Sequence, residues 1–234
     1  MDYFRKVVEF EKKHASGKQI ENAFQTNGVL LDDEWCEFLA ENRFLVGLSI
    51  DSPRHLHDKY LVDKGGQPIF DKVMHGLGFL KKHHVDFNTL TVVQRDNSYH
   101  PLEVCEFLKE VGSGFMQFIS IVERIAEARG PYGLSLIAPD SCTAAKLSPW
   151  SVEPVQYGNF LIAIFDEWVR HDVSKYYVQI FDVALESWLG MEPGLCVFRE
   201  TCGGAMAIEH NGDLIPAITS SFQRTSSAIS WSLL

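Results

Sequence analysis

The chain has 234 residues, of which 46% are hydrophobic and 22% charged, and its net charge is −10. Such a composition fits a folded protein with one sizeable core or two small ones, not a disordered chain. The acidic balance argues against a broad nucleic-acid-binding face, and no apolar run approaches the ~18–20 residues that a membrane helix needs.

The N-terminus, "MDYFRKVVEFEKKH", is amphipathic, with Phe4, Val7, Val8 and Phe10 among charges. It lacks the apolar segment of a secretory signal, and its acidic residues argue against a transit peptide. Five cysteines in a chain of this size do not read as a disulfide framework. A cytoplasmic protein with reduced thiols and no membrane or nucleic-acid partner is expected.

The N-terminal helix spans about Asp2 to His14, and the extended stretch "QIENAFQTNG" after it turns at Asn27-Gly28. "DDEWCEFLAENR" reads as a helix capped by Asp32 or Asp33, with Trp35, Phe38 and Leu39 on one face. "FLVGLSID" (44–51) is a nearly continuous apolar run, as expected of a parallel strand buried on both faces. Ile69, Val73, Leu77 and Leu80 recur at helical spacing. Strand "VDFNTLTVV", helix "HPLEVCEFLKEVG" and strand "FMQFISIV" follow. Strands alternating with helices imply parallel βαβ units, in an open sheet or part of a β/α barrel, with the active site at the C-terminal strand ends.

Residues 123–150 have no sustained period and carry Pro131, Gly133, Pro139 and Pro149, as a functional loop or linker does. Ser151 can cap a long helix that buries Phe160, Ile164, Phe165 and Trp168. A strand "YYVQIF" and a short helix "VALESWLG" lead to "GLCVFRETCGG", where Cys196 and Cys202 stand between glycines. Asn211-Gly212 is a strong hairpin signal. The serine-rich tail after Asp213 has no period, and residues from about Ile215 to Leu234 are expected to lack a stable fold.

The run "FQTNG…LDDEWCEFL…FLVGLSIDSP…LHD…FNTLTVV…HPLEV…FL…QFI…VER", then "FDEWVRHDV" and "C-x5-C…EHNGD", resembles the anaerobic sulfatase-maturating enzymes. The likeness extends from about Tyr3 to Asp213 in one continuous order. It implies a partial β/α barrel with an added cluster domain, and S-adenosylmethionine (SAM) and [4Fe–4S] clusters as the family's cofactors. It also implies oxidation of a sulfatase cysteine or serine to formylglycine, with a sulfatase polypeptide as substrate. The implied division is a barrel over 1–125, a connecting loop and helical continuation over 126–190, a remnant of the cluster domain over 191–213 and an aberrant tail over 214–234. The chain is thus expected to be an internal fragment that retains none of these cofactors.

The resemblance places Ser49, in "GLSID", against the SAM carboxylate; on the residues alone it is a strand-end hydroxyl satisfying its own backbone. Twelve residues on, the family's arginine is Leu61 here, and a leucine cannot replace a bidentate charged donor. The family's Asp-Gly-Pro is Asp51-Ser52-Pro53. The family's C-x3-C-x2-C loop, whose soft thiolates hold the SAM-cleaving cluster, does not occur in these residues.

Cys196 and Cys202 match the first two ligands of the family's auxiliary cluster. The third ligand and the general-base aspartate fall on Ala217 and Ile218. Zinc would need two further ligands, with His210 the only nearby candidate. A disulfide and two idle thiols are the other readings; idle thiols rank first and an incomplete cluster site second. His55 and His57 read as a solvated loop rather than metal ligands, and Cys36 and Cys105 as core thiols. Two alternatives remain open: a non-catalytic paralogue that binds a sulfatase-like peptide, and an unrelated barrel hydrolase using strand-end carboxylates such as Asp51 and Asp182.

Overall fold

A computed structural model describes residues 1–126, 136–137, 144–195, 198–200, 206–208, 211 and 213–216. Helix α1 (Asp2–His14) sets Phe4 edge-on against Phe24 and Trp35, with ring centroids 5.2 and 5.6 Å away. Strand β1 (Ala23–Thr26) ends in the Asn27-Gly28 turn, where φ of +76° favours glycine. Helix α2 (Asp33–Glu41) begins where the Asp32 carboxylate accepts the Trp35 N–H at 2.8 Å, satisfying one of the donors that a helix start leaves open. Strand β2 (Leu45–Ser49), the single turn α3 (Arg54–His57), helix α4 (Phe70–Lys82) and strand β3 (Phe87–Val93) follow. Helix α5 (Pro101–Glu110) has proline in its first turn, where no N–H is missed, and β4 (Phe115–Ser120) completes this series.

Three short strands, β5 (Arg124–Ala126), β6 (Leu136–Ile137) and β7 (Ala145–Leu147), come before helix α6 (Pro154–His171). Strand β8 (Tyr177–Val178), helix α7 (Gln179–Trp188), and strands β9 (Met206–Ile208) and β10 (Leu214–Pro216) complete the described elements. The chain divides into two compact units, 1–121 with 152–179, and 122–151 with 180–234.

The first unit is built on a five-stranded parallel sheet in the order β1-β2-β3-β4-β8. Crossovers between parallel strands are right-handed, so strands added in one direction put every connecting helix on the same face. That face carries Val46, Leu48, Thr89, Thr91, Met116 and Phe118, all buried. Its two threonines are satisfied within the fold: Thr91 donates to the Ile50 carbonyl at 2.7 Å, and Thr89 pairs with the Ser113 hydroxyl at 2.8 Å. Between α5 and α6, Lys109 meets Asp172 at 2.5 Å and Glu106 at 2.7 Å. Burial opposes the Lys109 charge, but the bonds to Asp172 and Glu106 outweigh it and hold the ammonium above its usual range.

In the second unit β5 pairs antiparallel with both β6 and β7, inside the stretch expected to be an aperiodic loop. Strands of two or three residues are too short to show a period. Ser151 does not cap α6, which starts at Pro154 after Glu153. Its hydroxyl instead accepts the Glu123 N–H at 2.9 Å and pairs with Ser148 at 2.8 Å. The Asn211-Gly212 signal is met by a hairpin, with Leu214 opposite Ile208 and Pro216 opposite Met206, so Ile215 and Pro216, expected to lack a stable fold, are paired in a strand instead; the rest of the tail lies outside the described residues.

Candidate functional site

Alternation along the strands gives the sheet a second face. Gln25, Gly47, Ser49, Asn88, Leu90 and Gln117 all point away from the helix-covered side and remain half-buried or exposed. This open face is polar and apolar by turns, and the C-terminal strand ends rim it, where parallel β/α folds place their sites. Ser49 is the last residue of β2, half-buried, in register with Leu90.

Beyond Ser49 the β2–β3 ladder is prolonged by a side chain. Asp51 Oδ1 accepts the Val92 N–H at 2.8 Å, replacing a backbone carbonyl that β2 no longer supplies. Asp51 is only 8% exposed, and burial pushes its carboxyl up to about 7, the Val92 N–H pulling the other way. Next to it Ser52 is fully buried, and its hydroxyl has no partner among the described residues.

The "HLH" reading as a solvated loop is corrected at His57. Its ring is buried on α3, edge-on to Phe70 at 5.3 Å, because Leu56 and His57 turn inward as the chain doubles back toward α4. Nδ1 bonds Asp58 Oδ1 at 3.3 Å, and that oxygen also accepts the Phe70 N–H at 3.0 Å. Burial lowers the His57 pKa, against the pull of Asp58. His55 stays exposed, and Glu103 joins it to His100, at 3.4 and 3.0 Å. The β2–α4 loop is further tied to the end of β3 through Asp96, which meets Lys59 at 2.6 Å and accepts the Tyr60 hydroxyl.

Asp182 is also corrected: it lies within α7, not at a strand end, because the chain turns helical at Gln179 after only two strand residues. Cys36 and Cys105 are buried on α2 and α5, and burial pushes both thiols up to about 11. Thiols so disfavoured as thiolates suit a core rather than a cluster. Cys196 and Cys202 lie outside the described residues.

A SAM carboxylate would ask this rim for a hydroxyl and a cation. Ser49 is a hydroxyl of the first kind; Leu61 is not a cation, and two cations of the same β2–α4 segment are engaged, Lys59 with Asp96 at 2.6 Å and Arg54 with Asp71. Ser49 was singled out by the resemblance alone; the residues by themselves read as a strand-end hydroxyl bonded to its own backbone. The Asp51–Val92 bond was missed because nothing in "SIDSP" indicates that β3 outruns β2.

A parallel β/α sheet with its helices on one face and a polar strand-end rim on the other is part of a β/α barrel, the architecture that the resemblance implies. No protein-family model matches the chain. The serine-type anaerobic sulfatase-maturating enzyme of Bacteroides thetaiotaomicron is 46% identical over 92% of this chain and 51% of its own length. The cysteine-type enzyme of Clostridium perfringens is 33% identical over 92% of this chain and 55% of its own length. The solved structure "Native anSMEcpe with bound AdoMet and Cp18Cys peptide" superposes with a TM-score of 0.78 at 32% identity, over 92% of this chain and 56% of that one. The chain belongs to the anaerobic sulfatase-maturating enzyme family. It spans about half the length of the curated relatives it matches.

Proposed function

We propose that these residues form the barrel segment of a sulfatase-maturating oxidoreductase, whose open sheet face receives a sulfatase polypeptide for oxidation of a serine or cysteine to formylglycine. The observation that carries this reading is 46% identity to a serine-type maturating enzyme, continuous over nine-tenths of the chain. The half-buried, strand-end Ser49 supports it, as the hydroxyl that would meet a SAM carboxylate. Cys196 and Cys202 are proposed as the first two thiolates of an auxiliary cluster. Bound SAM and a reduced cluster would together supply a carbon-centred radical. The 234 residues contribute Ser49 and the sheet face, and by themselves do not generate that radical, because three closely spaced thiolates are absent from them.

Anaerobic reconstitution with iron, sulfide, reductant and SAM tests this: the chain alone yields no 5′-deoxyadenosine above a protein-free control. Product above that control would overturn the reading. Leu61 favours a second reading, a peptide-binding protein without radical chemistry. Joining the cysteine-bearing unit of a relative to these 234 residues separates the two. The first reading expects SAM cleavage once Leu61→Arg is added; the second expects peptide binding and no cleavage.

A further inference from the structure

From β1 to β4, no strand position on the open face of the sheet is charged. Gln25, Gly47 and Asn88 stand side by side in one row across β1, β2 and β3, and Ser49, Leu90 and Gln117 in the next row across β2, β3 and β4. With strands about 4.8 Å apart and rows about 6.7 Å apart, this patch is as long as two or three extended residues. The Gln25, Asn88 and Gln117 carboxamides make no hydrogen bond among the described residues, and none of their polar atoms is sealed away from solvent.

Gly47 is the second observation. Glycine weakens a strand interior, and where it stands in one it often marks the close approach of another backbone. A Cβ at Gly47 would lie 2.7 Å from Leu90 Cδ1. The Leu90 tip thus rests diagonally across β2, whereas a strand side chain ordinarily stands up from its sheet. Between the carboxamides the floor stays low and apolar.

We propose that Gln25, Asn88 and Gln117 bind the main chain of the sulfatase polypeptide, which lies flat over Gly47 and Leu90; this rests on the reading of the open face as the polypeptide's seat. An extended main chain presents donors and acceptors and carries no charge. A carboxamide answers it with two donors and an acceptor, also without charge. A phosphate or an acidic side chain would find no cation on these strands. Recognition of this kind tolerates different side chains in the client at this point and does not tolerate loss of a peptide N–H.

Isothermal titration calorimetry with a synthetic peptide carrying a sulfatase's maturation serine tests it. Gln25→Leu, Asn88→Leu and Gln117→Leu should each weaken binding about three- to tenfold, as loss of one hydrogen bond does. Peptides N-methylated singly at the residues around the serine should include one that binds wild type more weakly by a like factor. Its further loss on the variant lacking the matching carboxamide should be much smaller, the mark of a direct contact. Gly47→Ala should weaken binding by lifting the Leu90 tip, and Gly47→Ala/Leu90→Ala should recover most of the loss. Far-UV circular dichroism and the melting temperature confirm that each variant folds. Folded carboxamide variants that bind as wild type does, or N-methylation losses equal in wild type and variants, overturn the inference and leave the open-face reading standing. A folded wild-type chain that binds no peptide at millimolar concentration overturns both.

Discussion

Asp51 makes the sheet's rim sensitive to pH, in a direction opposite to that of a salt-bridged carboxylate. Burial raises its pKa from 3.8 to about 7, so the folded chain holds a proton that the unfolded chain has released over that interval. The folded state binds more protons, and stability therefore falls as pH rises from about 4 to about 7. Roughly 3 units at ~1.4 kcal/mol each set an upper bound of about 4 kcal/mol. Relaxation around a charged carboxylate absorbs part of this, and about 2 kcal/mol is the expected effect. Asp51→Asn keeps an oxygen to accept the Val92 N–H, now 2.8 Å from Oδ1, and removes the charge. Urea unfolding followed by circular dichroism should show the variant matching wild type at pH 4.5 and exceeding it by about 2 kcal/mol at pH 8. His57 works the other way: its lowered pKa means that stability is lost as pH falls through the usual histidine range. Only the difference between variant and wild type isolates Asp51. An equal difference at the two pH values, or a variant weaker at pH 8, would refute the assignment.

Two glycines of α4 should respond oppositely to alanine. A Cβ at Gly76 would lie 2.1 Å from the Gly28 carbonyl, so Gly76→Ala should cost about 1–3 kcal/mol of stability in thermal unfolding; Gly78, with nothing within 4 Å, should gain up to ~1 kcal/mol. Asp172→Asn leaves the Lys109 ammonium with Glu106 as its remaining carboxylate partner and should cost about 1–2 kcal/mol in urea unfolding. The Lys109→Met/Asp172→Leu pair should recover most of that loss, and a double variant no better than the single would show that the α5–α6 contact depends on the charges.

The sheet was legible because parallel strands buried by helices read as apolar runs, and helices such as α4 and α5 keep a clean 3.6-residue period. What escaped lay where local pattern and tertiary context part. "YYVQIF" alternates well enough for a strand, yet Phe181 and Val183 serve a helix equally, and only pairing with β4 stops the strand at Val178. The histidines of "HLH" carry no sign of which one turns inward. Strands β5 to β7 are defined by one another rather than by their own residues. At the site, only the resemblance pointed to Ser49, and the Asp51–Val92 bond depends on the unequal lengths of two strands distant in sequence.

The most direct measurement is hydrogen exchange on the chain with and without a peptide carrying a sulfatase's maturation serine. If the open face receives the polypeptide, amides at the C-terminal ends of β2, β3 and β4, from Ser49 to Ser52 and around Val92 and Ser120, should exchange more slowly with peptide present. The helix-covered side, including α4 and α5, should not change. Peptide bound at saturation with protection confined to the helices, or no binding at millimolar peptide, would contradict the account.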